Sequence, residues 1–554
     1  MCRLARAVAT TFVLSLLSIP VAAQQDDAVR EIIRRQVEQI RTVGELSVGT
    51  SHISSVLVLP DLYERRSFAP AWTDETAITD LLRAIDDIEA DGLDPDDYHR
   101  TALREHRERV GGGQATTEEL ADFDMLLTDA MVRLGYHILF GKVDPERLDP
   151  SWNMASELGH LEPVSVVQGA IESGRLYEVV EAYKPTDPFY VQLKAALARY
   201  RAFAAEGGWD PVPSVRRLEL DSVDARVPAL RARLTATDDL PESASLTSET
   251  FDADVDVAVR TFQRRHGLTA DGIVGANTIA AMNVPVEDRI QQIRVNLERG
   301  RWILRDLGDD FVIVNIAGFR TYLVRDREMV WETRSVVGRT YRKTPVFRAD
   351  MKYLVFNPTW TVPPGILRND VLPALQRDPG YLADHDMVLL DRAGNVVDTS
   401  QLDYNQYTAG TFPYIVRQNP GPTNSLGLVK FIFPNEHFVF LHDTPSRTLF
   451  DREVRTFSSG CIRVENPFEL VEMLLGSESW NRPAIDRTLA TKDTRTVHLD
   501  APLPVVVMYW TAWVDLDGQL TFYTDVYERD AAVAAGLEED FRFRDRPIVP
   551  GEGG

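Results

Sequence analysis

The chain has 554 residues, too many for one hydrophobic core, and this length implies about three or four domains. Its 60 basic and 84 acidic residues give a formal net charge of −24, which argues against nucleic acid and anionic lipid as partners, because both would repel it. The composition, 44% hydrophobic and 26% charged, is ordinary for a globular protein, so a ligand must be held by something other than bulk charge; neutral sugar chains and zwitterionic peptides qualify.

Arg3 and Arg6 precede an apolar run, Ala7 to Ile19, that is short for a bilayer span. Pro20 ends the run and Val21-Ala22-Ala23 offers small residues for cleavage, so residues 1–23 read as a secretory signal peptide, with an uncleaved anchor as the alternative. No Cys follows the run, so no lipid anchor is expected, and no later segment has the length and apolarity of a transmembrane helix. The two cysteines are Cys2, which leaves with the signal, and Cys461. A single thiol in an oxidising compartment makes no internal disulfide and a poor metal site. It is either buried and inert or a nucleophile.

Residues 24–54 read as a polar lead-in, helical or loose. Residues 55–212 are mostly helical in pattern, with apolar spacing from Phe123 to Tyr136 and from Leu193 to Phe203, and turn signals at Asp91-Gly92 and Asp144-Pro145. Nothing catalytic stands out there. Residues 213–285 form a compact helical unit: Val227 to Leu234, then Val255 to His266 with Gly267 as a C-terminal cap, then Ile279 to Met282. Residues 286–305 read as a connecting helix, with Val286, Ile290, Ile293 and Leu297 on one stripe. The period then changes to two, and residues 306–530 are rich in strands: Phe311–Ile316, Thr321–Val324, Tyr353–Phe356, Val429–Phe433, Phe438–Leu441 and Val505–Tyr509. Within them, residues 380–425 lack a period and contain Pro413, Pro420, Gly421 and Pro422, as expected of a lid or binding loop. Residues 531–554 read as a C-terminal tail. The fold class expected is multidomain α+β.

Phe440-Leu-His-Asp-Thr-Pro445 brings an apolar strand into His442, and Cys461 follows nineteen residues later, behind Ser458-Ser459-Gly460. A cysteine at its free pKa is mostly protonated and needs a base, which a His on a neighbouring strand supplies. Gly460 permits close backbone approach, and the Gly460 and Cys461 amides are positioned to face an oxyanion. Asn466-Pro467-Phe468-Glu469 reads as a helix start, placing Cys461 in a strand–helix connection. His437 is a competing base, but as a strand residue it falls on the face opposite His442. Arg463 shares the parity of Cys461, and either holds the loop, attracts a substrate carboxylate or makes a surface ion pair. A buried, inert Cys461 and a structural His442 are the alternatives.

His442-Asp-Thr-Pro445 and Ser459-Gly-Cys-Ile-Arg463 resemble the signature of the L,D-transpeptidase (YkuD-type) catalytic domain. Many members of that family have His where this chain has Ser459. Ala258 to Leu268, Asp271-Gly272, Val274-Gly275 and Thr278 resemble a three-helix peptidoglycan-binding module, and Tyr63 to Asp74 resembles the scaffold of large two-lobed members. Asn357 to Pro364 and Gly421 to Gly427 resemble parts of their catalytic domain and capping loop. The resemblance spans about residues 55–530.

It implies that Cys461 is acylated, that His442 is the base, and that the Asp443 backbone carbonyl orients the imidazole. Gly460 and Ser459 belong to the same catalytic constellation, and Arg463, Asn424 and Phe440 are implied as substrate-binding residues. The implied reaction is 3→3 cross-linking of peptidoglycan tetrapeptide stems through a thioester, in the periplasm, with no cofactor or metal and with acylation by carbapenems. An L,D-carboxypeptidase or cross-link hydrolase using the same Cys and His, a non-catalytic wall-binding protein, and attachment of a lipoprotein to the wall stay open as alternatives.

Overall fold

The computed structural model describes residues 21–149, 152–154, 162–241, 245–304, 307–476, 479–514 and 518–543. The expected signal peptide lies outside them, apart from the backbone of 21–23, which opens a helix. No helix among the described residues is long and apolar enough to cross a membrane.

That first helix, Val21–Val43, buries Val29, Ile33, Val37 and Ile40, and a spacing of three and four puts them on one face. The face packs against the helix Thr117–Phe140. Residues 24–54 are thus part of the helical unit and not a lead-in; their polarity belongs to the solvent face. Thr117–Phe140 starts with a Thr116–Glu119 capping box and is buried nearly all round, which marks it as the centre of the scaffold.

The helix Val286–Ile303 connects the lobes. Its Glu298 is fully buried and accepts from the Val143 amide (2.7 Å), the Trp302 indole (3.1 Å) and the Arg301 guanidinium (2.6 and 3.0 Å). Arg301 in turn donates to the Asp91 carbonyl (2.8 Å) and Tyr190 hydroxyl (2.9 Å). Every member of this buried network has a partner, so its ions are held at low cost and fix the helix against the scaffold.

The C-terminal lobe is a nine-stranded mixed sheet. From one edge the order is Thr456–Ser458, Glu328–Gly338, Ile462–Val464, Leu441–His442, Val429–Ile432, Phe347–Phe356, Arg495–Met508, Phe311–Asn315 and Arg320–Arg325. Arg320–Arg325 pairs back on Glu328–Gly338, so all strands but the first close into a ring. Val312, Val314, Leu323, Val505 and Val507 point into the ring, while Phe311, Ile313, Tyr322, Val324, Val506 and Met508 pack into the scaffold core. Burial on both faces explains why these strands read as unbroken apolar runs.

Two expected boundaries change. Residues 360–418 hold a separate three-stranded sheet, Trp360–Thr361, Ile415–Gln418 and Met387–Leu390, over a core of Val362, Val371, Leu375, Leu382, Leu389 and Val416. The expected irregular loop at 380–425 is therefore mostly a small folded cap. The expected tail begins with the helix Asp530–Leu537, which buries Val533 and Leu537, and Phe541 then packs on Tyr136 of the scaffold at 5.6 Å.

The module at 213–285 has three helices, Val227–Thr235, Ala253–Arg265 and Ala276–Met282, around Leu230, Leu234, Phe251, Val259 and Phe262. Gly267, at φ +64°, turns the chain after the second helix, as its cap role requires. His266 stacks on Phe262 at 3.8 Å and on Phe522 of the other lobe at 5.7 Å.

Burial holds His137, His266 and His442 neutral, with pKa values far below the ordinary 6.5. Unfolding frees each to bind a proton near pH 6.5. The unfolded chain then binds more protons, so stability is full above that pH and is lost as pH falls toward the folded value, about 3 for His442. The urea midpoint is expected to fall steadily from pH 7.5 to about pH 5, with a smaller slope in His266→Phe; equal slopes in both proteins would contradict this origin.

Candidate active site

The strands Leu441–His442 and Ile462–Val464 run parallel as neighbours, with His442 opposite Arg463 and Leu441 opposite Ile462. This register sets Cys461, just before its strand, beside Phe440. Cys461 therefore lies in a strand-to-strand connection between Thr456–Ser458 and Ile462–Val464, not in a strand–helix one. The expected helix does start at Pro467, but Asn466 before it sits at φ +51°, a region Asn tolerates, and its side chain makes no capping bond. Glu469 instead accepts from the Trp331 indole at 2.9 Å.

His442 is buried, and its Nδ1 lies 2.5 Å from the Asp443 carbonyl oxygen. A carbonyl only accepts, so Nδ1 carries the proton and Nε2 is the basic nitrogen. Asp443 is held in turn: its carboxylate accepts from the Leu428 amide at 2.9 Å and pairs with Arg447 at 2.5 Å. Burial and then Arg463 push the His442 pKa down to about 3, outweighing the Asp443 and Leu426 carbonyls, which favour the protonated ring.

The Cys461 thiol donates to the Phe438 carbonyl at 3.7 Å and not to the imidazole. Its residue keeps intermediate surface exposure, yet the sulfur's surroundings are packed, and burial pushes the thiol up to about 11 against the help of the Phe440 backbone, Arg463 and Lys430. Both groups rest neutral in the free protein. Iodoacetamide alkylation of Cys461 is accordingly expected to be slower than that of a free thiol at pH 7 and to climb through pH 9 and beyond. A rate already at its plateau at pH 7 would mean a preformed thiolate.

Ser458, not singled out by sequence, organises the loop. Its hydroxyl donates to the Cys461 carbonyl at 2.5 Å and accepts from the Gly460 amide at 3.1 Å. The Gly460 amide is thus engaged, contrary to its expected place facing an oxyanion. Gly460 itself sits at φ +119°, a conformation that suits only glycine. Thr344, also missed, donates from its hydroxyl to the Gly460 carbonyl at 2.8 Å and receives the Gly338 amide at 2.9 Å. Ser459 is exposed and accepts from Arg342 at 3.0 Å, and Arg342 also pairs with Asp370 of the cap at 2.9 Å. No local pattern marks Thr344 or Arg342, because each meets the loop from more than a hundred residues away.

Arg463 forms no ion pair among the described residues; it donates to Thr444 at 3.4 Å and sits beside both reactive groups. Lys430 lies opposite His442 on the next strand, with its ammonium 5.7 Å from the Phe440 ring centre. Phe440 in turn walls the imidazole, with ring centres 5.7 Å apart. Asn424 is a correction: it is fully buried, and its amide donates to Pro358 (3.1 Å) and Asn419 (2.8 Å) and accepts from Leu426 (2.8 Å). Those bonds fix the loop and leave the side chain no free donor for a substrate. His437 lies in a turn and not on a strand, with its ring against Phe347 at 5.0 Å, so it is remote from the base position for a reason other than strand parity. Among the described residues no group of three or more side chains is placed to hold a metal ion.

Residues 309–506 match the family model of the L,D-transpeptidase catalytic domain. The chain carries an L,D-transpeptidase catalytic domain. Residues 58–197 match the scaffold domain and residues 224–282 the model described as "Putative peptidoglycan binding domain". A Haemophilus influenzae protein named "Putative L,D-transpeptidase" is 35% identical over 243 residues, which is 44% of this chain and 49% of that protein. The chain thus spans about half the length of that relative. The Mycobacterium tuberculosis N-acetylmuramoyl-L-alanine amidase CwlM is 40% identical over 83 residues, 13% of this chain and 20% of that one. A solved L,D-transpeptidase from Xylanimonas cellulosilytica covers 53% of this chain and 99% of its own, at 14% identity and a TM-score of 0.17.

Proposed function

We propose that the chain is an exported enzyme that forms 3→3 cross-links between peptidoglycan tetrapeptide stems by way of a Cys461 thioester. The observation that carries this reading is the imidazole of His442, fixed through Nδ1 by the Asp443 carbonyl at 2.5 Å, on the strand next to the Cys461 loop. The fixed tautomer leaves Nε2 as a base, and the neutral resting pair calls for general-base attack as the substrate arrives.

In the first half-reaction the Cys461 sulfur attacks the carbonyl carbon of the third stem residue while the thiol proton passes to His442 Nε2. The amide of Cys461 is the oxyanion donor left once Ser458 has taken that of Gly460, and Lys430 and Arg463 add positive charge nearby. The C–N bond to the terminal D-Ala breaks, and the His442 proton leaves with that amine. In the second half-reaction the amine of a neighbouring stem attacks the thioester and gives a proton to His442. The C–S bond breaks and the sulfur takes that proton back. The cap, joined to the loop through Arg342, favours transfer over hydrolysis by limiting water. Export to the periplasm follows from the signal-like start, and acylation of the same thiol by carbapenems follows from the family chemistry.

Mass spectrometry of the protein incubated with disaccharide-tetrapeptide, beside Cys461→Ala, tests the reading. A tetrapeptide–tripeptide dimer with loss of D-Ala, absent in the variant, is expected. Tripeptide monomer without dimer would make the enzyme a carboxypeptidase. Wall binding without turnover would leave only the binding function.

A further inference from the structure

Phe438 is the most exposed large apolar side chain among the described residues, at 83%, and it stands next to the nucleophile, because its carbonyl receives the Cys461 thiol. Its backbone sits at φ +54°, a conformation unfavourable for a bulky L-residue. The turn enforces it. The Asn435 amide donates to the Phe433 and Val439 carbonyls, both at 2.7 Å, and its oxygen accepts from the His437 (3.0 Å) and Val439 (3.2 Å) amides. An over-determined, strained turn that holds an aromatic ring in solvent gains nothing for the core, and such strain gathers at functional sites.

The same turn forms one wall of a cavity of about 320 Å³. Its other wall is the strand Phe347–Phe356, where Arg348, Asp350 and Lys352 share a face at every second residue. Asn153 of the scaffold closes the end by bonding both the Arg348 carbonyl (3.0 Å) and amide (2.9 Å). Arg348 and Lys352 offset Asp350 and Glu436, so the lining is polar but carries no excess charge. The Nε2 atom of His437 is buried there without a hydrogen bond, 3.8 Å from the Glu436 carboxylate.

We propose that this face binds the glycan of the substrate: an amino-sugar strand lies in the cavity between scaffold and sheet and crosses Phe438 toward Cys461. A pyranose ring offers an apolar C–H face, which stacks on an exposed aromatic ring, and a rim of hydroxyl and acetamido groups, which needs mixed donors and acceptors. The balanced charge favours such a neutral chain over the anionic ends of a stem peptide. Phe438 then determines specificity for sugar-linked stems over free ones. This inference rests on the peptidoglycan reading above.

The test uses the full chain carrying Cys461→Ala, titrated calorimetrically with the tetramer of β-1,4-linked N-acetylglucosamine. Phe438→Gly and Phe438→Ala are expected to weaken binding at least about tenfold, and Phe438→Trp to retain it. Because glycine accepts φ +54°, Phe438→Gly should melt at or above the parent temperature, so a loss of binding there is not a loss of fold. With Cys461 restored, the ratio of kcat/KM for disaccharide-linked to free tetrapeptide should fall by a similar factor in Phe438→Ala. Equal saccharide affinity in parent and Phe438→Gly, or no binding to the parent, would overturn the inference. Cys461-dependent cross-linking without saccharide binding overturns this inference alone. Phe438-dependent saccharide binding without any turnover overturns the transpeptidase reading and keeps the sugar site.

Discussion

Cys461→Ala is expected to abolish acyl-enzyme formation, and His442→Ala to slow it by about 10²- to 10⁴-fold, the usual worth of a positioned general base. The two losses should differ in their dependence on pH. Without the sulfur no pH restores the reaction, because no other thiol stands in the loop. Without the imidazole the thiol must ionise unaided, and burial sets that step near pH 11. Residual acylation in His442→Ala should therefore rise about tenfold per pH unit across the neutral range, while the parent enzyme stays nearly flat. Intact-mass measurement of single-turnover acylation at several pH values separates the cases. A flat, slow profile in His442→Ala would mean that the ring orders the loop and takes no proton.

Much of this site was legible in the sequence because its main parts lie in short segments. His442-Asp-Thr and Ser459-Gly-Cys-Ile-Arg463 each occupy one strand end, and a strand pairing was all that was needed to join them. The supporting parts were not legible. Thr344 and Arg342 reach the loop from another strand connection, and Ser458 looks like an ordinary neighbour until its hydroxyl is seen bridging Gly460 and Cys461. Asn424 misled for the opposite reason. It stands in a family-like segment, but both of its amide donors go to the Pro358 and Asn419 carbonyls and its oxygen accepts from the Leu426 amide. At fold level the helical periods of the scaffold and module were clear. The cap was expected as an irregular loop, and its sheet was missed because the strands are four residues or fewer and carry no long alternation. The docking of the lead-in and the order of the tail were missed because they depend on distant partners, the scaffold for the first and the connecting helix and scaffold for the second.

Gly427→Ala is expected to damage the base without touching it. Gly427 sits at φ +62°, and a Cβ there would lie 2.4 Å from both Cγ and Oδ2 of Asp443 and 2.5 Å from its Cβ. Asp443 has little room to yield, since the Leu428 amide and Arg447 hold its carboxylate and its amide donates to the Val429 carbonyl at 2.9 Å. The chain must shift at one of the two residues, and a shift at Asp443 carries the carbonyl that holds His442 Nδ1. We expect about 2–4 kcal/mol of lost stability, from backbone strain and overpacking together, and about 10²-fold slower acylation. Asp443→Gly supplies the decisive comparison. It removes every clashing atom but keeps the carbonyl, so alone it should cost less activity than Gly427→Ala. Combined with Gly427→Ala it should recover part of the loss, with a coupling of about 1–3 kcal/mol in the double-mutant cycle. Additive losses would place the damage in the backbone of Gly427 itself, whereas recovery would trace the position of the base, through one carbonyl, to the absence of a single methyl group opposite Asp443.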